Sequence, residues 1–90
     1  MLPPLMDSEL SLYYTPYCGY CSYVQRVAEQ LGVTLVLRDI SADQTCYNDL
    51  VAAQHRATVP VLRITSEEGG SEWMPESRDI VEYLVKRFGK

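Results

Sequence analysis

Thr15-Pro16-Tyr17-Cys18-Gly19-Tyr20-Cys21 stands where one rhythm in the sequence gives way to another. Ahead of it, Leu10, Leu12 and Tyr14 alternate with Ser11 and Tyr13, and this two-residue period predicts a first strand over residues 9–14. Beyond it, Tyr20, Tyr23, Val24, Val27, Ala28 and Leu31 recur at helical spacing, which predicts an amphipathic helix stopped by Gly32. Pro16 ends the strand, and Gly19 gives the turn its freedom. Two thiols therefore fall three residues apart at a helix start. The first lies beside unpaired backbone N–H groups and the positive end of the helix dipole, which favour its thiolate. The second lies one turn on along the same side, within disulfide reach.

Working outward, Val33 to Leu37 reads as a buried second strand parallel to the first. Ser41-Ala42-Asp43-Gln44 fits a capping box opening a helix that runs to about Gln54 and carries Leu50, Val51 and Tyr47 inward. Pro60 to Thr65 is a third strand. Glu67-Glu68-Gly69-Gly70-Ser71 is a turn, and Glu72 to Met74 returns as the second arm of a hairpin ended by Pro75. Ser77 caps a last helix with the stripe Ile80, Val81, Leu84, Val85 and Phe88, closed by Gly89. The order β-α-β-α-β-β-α implies an α/β domain: one four-stranded mixed sheet with helices on both faces.

Whole-chain properties narrow the field. Ninety residues make one small domain, here assigned to residues 9–90 behind a disordered tail at residues 1–8. Met1 and Met6 are both candidate starts. A net charge of -4 argues against nucleic acid, and no apolar run reaches membrane-spanning length. The tail lacks the features of a secretory signal. Three cysteines are too few, and odd in number, for a disulfide scaffold. A lone C-x-x-C then reads as redox-active or metal-binding in a reducing, cytoplasmic setting.

The motifs Cys18-Gly19-Tyr20-Cys21, Thr58-Val59-Pro60, and Gly69-Gly70 followed by Pro75-Glu76-Ser77-Arg78-Asp79, in this order, resemble a glutaredoxin of the thioredoxin fold. The stretch from Glu76 to Leu84 is also similar to the glutathione-binding domain of glutathione transferases and transferase-like glutaredoxins. The sequence departs from the commonest glutaredoxin pattern in three places. Gly19 stands at the motif proline, Thr15 at a frequently basic position, and Glu76-Ser77 at an acidic pair.

The resemblance implies a glutathione-dependent thiol–disulfide oxidoreductase acting on protein disulfides and protein–glutathione mixed disulfides. Cys18 is the expected nucleophile and Cys21 the resolving thiol, less exposed and of higher pKa. Val59, ahead of a cis Pro60, would offer backbone groups to the cysteinyl part of glutathione. Thr58 would line the same groove, or simply precede the strand. Arg56 would meet the glycyl carboxylate, and Glu76 and Ser77 the γ-glutamyl end at a helix N-terminus. Tyr17 and Tyr20 could wall the groove, although Tyr20 could equally open the core stripe, where Tyr23 is placed. Cys46 is expected to be a bystander, His55 a surface residue at a helix end, Trp73 hydrophobic cover, and Asp79 a charge suited to the helix dipole.

No metal is required by this reading, glutathione is the co-substrate, and a monomer is expected. Its rivals are a [2Fe–2S] module, in which two chains and two glutathiones share a cluster through Cys18, and a thioredoxin-like electron donor. A fragment of a glutathione transferase is disfavoured by the C-x-x-C and the missing helical domain.

Overall fold

The first strand buries residues on both its faces: Leu10 and Leu12 on one, Ser11 and Tyr13 on the other. The computed structural model describes residues 8–66 and 69–89. In chain order its elements are β1 (Ser8–Tyr14), α1 (Gly19–Gln30), β2 (Val36–Asp39), α2 (Gln44–Gln54), β3 (Val61–Ser66), β4 (Ser71–Met74) and α3 (Ser77–Phe88). The sheet order is β2-β1-β3-β4, with β1 and β2 parallel and the other two pairs antiparallel. From β1, Leu10 and Leu12 join Val24 and Ala28 of α1, Leu62 of β3, and Ile80 and Leu84 of α3 in one core. Tyr13 points the other way, to Cys46 and Leu50 of α2 and Val61. Helices thus cover both faces, and this is the thioredoxin-type α/β arrangement. Burying one such leucine or valine contributes about 1.5–3 kcal/mol.

The second core carries a polar lid. Trp73 lies 5.2 Å from Tyr13 between ring centroids, and the Arg63 guanidinium sits 5.0 Å above the indole. Arg63 also donates to the Tyr13 hydroxyl and to Ser71 Oγ. Trp73 is hydrophobic cover, as its sequence setting suggests.

Several boundaries differ from the sequence reading. β1 starts at Ser8, one residue inside the expected tail; the rest of that tail, with Met1 and Met6, lies outside the described residues. β2 is Val36–Asp39 and not Val33–Leu37, because pairing begins at Ser11–Val36. As an edge strand it leaves Leu37 about half exposed. α2 is capped by Asp43 and not Ser41: Asp43 accepts from the amides of Thr45 at 2.9 Å and Cys46 at 3.4 Å. Ser41 instead donates to Asp39.

Tyr47 and Val85, expected inward, are exposed, while Leu50 is fully buried. β3 begins one residue after Pro60. The hairpin closes with Gly69 at φ 91, a left-handed conformation that glycine adopts without Cβ strain. Glu67 and Glu68, assigned to the same turn, lie outside the described residues. Finally, α3 has Glu76 as its N-cap with no side-chain capping bond, so Ser77 is its first helical residue and does not cap it.

Candidate functional site

Three chain segments that are far apart in sequence border one cleft of about 720 Å³. The start of α1 contributes Tyr20 and Tyr23, the last residue of α2 is Gln54, and the segment after it contributes Arg56, Thr58 and Val59. The foot of β3 adds Val61, and the start of α3 adds Pro75 to Asp79 with Val81. The cleft therefore has one apolar wall, Tyr20, Tyr23 and Val81. The rest of the lining carries both signs of charge: Arg56 and Arg78, Glu76 and Asp79. Among the described residues neither arginine is committed to an ion pair, so both forks are free for a carboxylate.

Cys18 meets this cleft at Val59. It is the N-cap of α1, in extended conformation, and its sulfur accepts the Cys21 amide N–H at 3.1 Å. The Cys18 thiol faces the Val59 carbonyl at 4.0 Å. A turn from Thr15 O to the Cys18 amide, 3.3 Å, sets the approach of the chain. Val59 precedes a cis bond to Pro60. Among the described residues, neither its N–H nor its C=O is taken by a backbone hydrogen bond, since the β3 ladder starts at Val61. An extended ligand thus finds, next to the sulfur, a backbone donor and a carbonyl that is met only by the Cys18 thiol.

Cys21 differs from Cys18 in kind. It is fully buried, and burial, followed by the hydrogen bond with Cys18, pushes its thiol up to about 12. Cys46 is also buried and its thiol is raised, first by desolvation and then by the charge of Asp43. All three cysteines are free thiols. Among the described residues, no group of three or more His, Cys, Asp or Glu side chains could hold a metal.

Of the residues nominated from sequence, Tyr20, Arg56, Thr58, Val59, Glu76 and Ser77 line the one cleft. Pro60 is buried behind Val59, and Cys18 stands at the edge beside it. Tyr17 is a correction. It walls no groove but projects into solvent, 94% exposed and outside the cleft lining. Tyr23 is the opposite correction: assigned to the core, it is about half exposed and lines the cleft.

Gln54, Arg78 and Asp79 also line it. Arg78 was readable as the next residue after a nominated pair, and Asp79 was set aside as a helix-dipole charge. Gln54 carried no signal in the sequence, since its place in the cleft follows from where the end of α2 meets the start of α3.

The family model described as "Glutathione S-transferase, N-terminal domain" matches residues 12–90. No curated protein matches the sequence significantly. Among solved structures, the chain is similar to maleylacetoacetate isomerase from Anaeromyxobacter dehalogenans, solved with glutathione in its active site. The identity is 23% and the TM-score 0.70, over 93% of this chain and 39% of that one. Glutathione transferase Omega 2S from Trametes versicolor matches at 20% identity and TM-score 0.70, over 90% of this chain and 37% of that one. A thioredoxin-like protein matches at 18% identity and TM-score 0.67, over 87% of this chain and 91% of its own. The chain thus spans well under half the length of the isomerase and the transferase.

Proposed function

The chain belongs to the glutathione S-transferase N-terminal domain family, and from that premise we propose that it is a glutathione-dependent thiol–disulfide oxidoreductase of glutaredoxin type. One observation carries this: a free N-cap thiol, Cys18, abuts a Val59 backbone with no backbone hydrogen bond, at the edge of a cleft supplied with Arg56, Arg78, Glu76 and Ser77. Glutathione brings two carboxylates, one ammonium and a peptide backbone. Arg56 suits the glycyl carboxylate, Ser77 with the first amides of α3 the γ-glutamyl carboxylate, and Glu76 the ammonium. Thr58 and Tyr20 border the cysteinyl part, and Pro60 sets Val59 in place.

In the first step the Cys18 thiolate attacks the glutathionyl sulfur of a mixed disulfide. A Cys18–glutathione disulfide forms, and the protein thiolate leaves and takes a proton from water. A second glutathione thiolate then attacks the glutathionyl sulfur, releasing oxidised glutathione and restoring Cys18. With a protein disulfide, Cys18 instead forms a mixed disulfide with one protein sulfur and frees the other. Cys21 must then give up its proton and attack Cys18, expelling the bound protein thiolate and leaving a Cys18–Cys21 disulfide that two glutathiones reduce. When Cys18 enters a disulfide its charge disappears, which removes one cause of the high Cys21 pKa but leaves the larger one, burial.

The deciding experiment is turnover of a small glutathione mixed disulfide, with glutathione reductase regenerating the donor. Cys18→Ser is expected to abolish it and Cys21→Ser to preserve it, while reduction of protein disulfides is lost in both. Turnover surviving in Cys18→Ser would remove the nucleophile from this scheme. The reading places the chain, as a monomer, in a reducing cytoplasm, where free Cys21 and Cys46 persist. Visible absorbance after anaerobic purification would favour the cluster-sharing dimer, and reduction by a flavoprotein in place of glutathione the thioredoxin-like donor.

A further inference from the structure

Tyr17 has no structural reason to be aromatic. Its ring is 94% exposed, contributes nothing to either core, and lies outside the cleft. Yet it immediately precedes Cys18, in a turn held by the Thr15–Cys18 hydrogen bond. Tyr20, two residues past the sulfur, is 70% exposed and borders the cleft. The nucleophile is thus flanked along the chain by two open aromatic rings, only one of which glutathione in the cleft can cover.

The chemistry says what meets the other. A thiolate attacks a disulfide sulfur in line with the bond it breaks. With the glutathionyl group in the cleft and its sulfur at Cys18, the leaving sulfur lies further out, and whatever carries it rests on the surface outside the cleft. A cysteine that has acquired glutathione is one with thiolate character, and lysine or arginine neighbours are what confer that character. Such a cation is attracted to an exposed aromatic face. The net charge of -4 favours a basic approaching chain over an acidic one.

Resting on the oxidoreductase reading above, we propose that Tyr17 is a docking residue for the polypeptide half of the substrate, selecting glutathionylated cysteines that have an arginine or lysine beside them. The step is the one already given: the Cys18–glutathione bond forms, the glutathione–peptide bond breaks, and the peptide thiolate departs over Tyr17. Tyr17 binds the departing chain and takes no part in the electron transfer.

The test uses three substrates under the same glutathione-coupled assay at low salt: a glutathionylated peptide with arginine next to the cysteine, the same peptide with glutamate there, and the small mixed disulfide of glutathione with mercaptoethanol. Wild type is expected to prefer the arginine peptide. Tyr17→Ala should lower kcat/KM on that peptide by about two- to fivefold through KM, the worth of one exposed cation–aromatic contact. It should leave the small disulfide unchanged, and Tyr17→Phe, which keeps the ring, should restore the preference. If Tyr17→Ala lowers all three rates alike, or none, the docking role is wrong. Absence of wild-type turnover on the small disulfide would overturn the oxidoreductase reading itself and this inference with it; with that turnover present, the Tyr17 ratios alone decide.

Discussion

Because Cys21 has no access to water, ionising it inside the fold costs far more than in the unfolded chain, where a thiol has a pKa of about 8.5. With the folded value near 12, the native state keeps a proton that the unfolded state gives up. Below about pH 8.5 both states are protonated there and stability is unaffected. Above it the unfolded chain binds fewer protons, so stability falls as pH rises toward 12, by at most about 1.4 kcal/mol per pH unit for one such group. Cys46 acts in the same direction. Urea unfolding at pH 8, 9, 10 and 11 should show this decline, and Cys21→Ala, though less stable at pH 8, should show a shallower one. Parallel declines in the two proteins would mean that the Cys21 thiol is not shielded as its burial requires. Ser77 separates packing from binding at the same scale. It makes no capping bond, so Ser77→Ala should change stability by less than about 0.5 kcal/mol while raising the KM for glutathione.

The caps of the helices show which energies belong to the element. Asp43 takes two amides at the start of α2, and Asp43→Ala should cost about 0.5–2 kcal/mol in chemical denaturation. Ser41→Ala should cost far less, since the Ser41 hydroxyl bonds only to the exposed Asp39 carboxylate. Equal losses would return the cap to Ser41. The pair also shows what could be read without coordinates. A run of Ser, Asp and Gln announces a helix start, but serine and aspartate are comparable caps, and the choice is made where the chain leaves β2 at Asp39. The period-2 pattern of β1 and the stripes of α1 and α3 were legible because each has a rhythm of its own. A parallel β2 was legible too, but its bounds were not, since Val33 to Leu37 is apolar apart from Thr34 and its register is set by Ser11 and Leu12 across the sheet. The same division holds in the site. Cys18, Val59 and Glu76-Ser77 are announced by local motifs. The half-exposed Tyr23 and the cleft position of Gln54 arise from how α1, α2 and α3 meet, which no single segment encodes.

Across the whole molecule, the described chain completes its own packing. Its radius of gyration is 12.7 Å, against the roughly 12 Å expected of a compact domain this size, and both cores close within one sheet and three helices. The cleft is therefore a property of this fold, although the transferase and isomerase it resembles are more than twice as long. An acidic molecule with a pI near 4.8 gains nothing from long-range attraction for an anionic tripeptide, so affinity must come from local donors at Arg56, Arg78 and the start of α3. That can be measured with no redox step, using S-methylglutathione, which cannot exchange disulfides. A ligand that binds only the folded state raises stability by about 2.7 kcal/mol at a hundred times its Kd, and each kcal/mol moves the Tm of a domain this size by about 4–8 °C. Wild type should melt higher as S-methylglutathione is added. Arg56→Ala should need a higher ligand concentration for the same rise, by the roughly tenfold or more that a lost charged hydrogen bond entails. Cys18→Ser should retain the rise, because the cleft is built by other residues. A Tm indifferent to millimolar S-methylglutathione in wild type would leave the cleft without the tripeptide proposed for it, whatever the two thiols do.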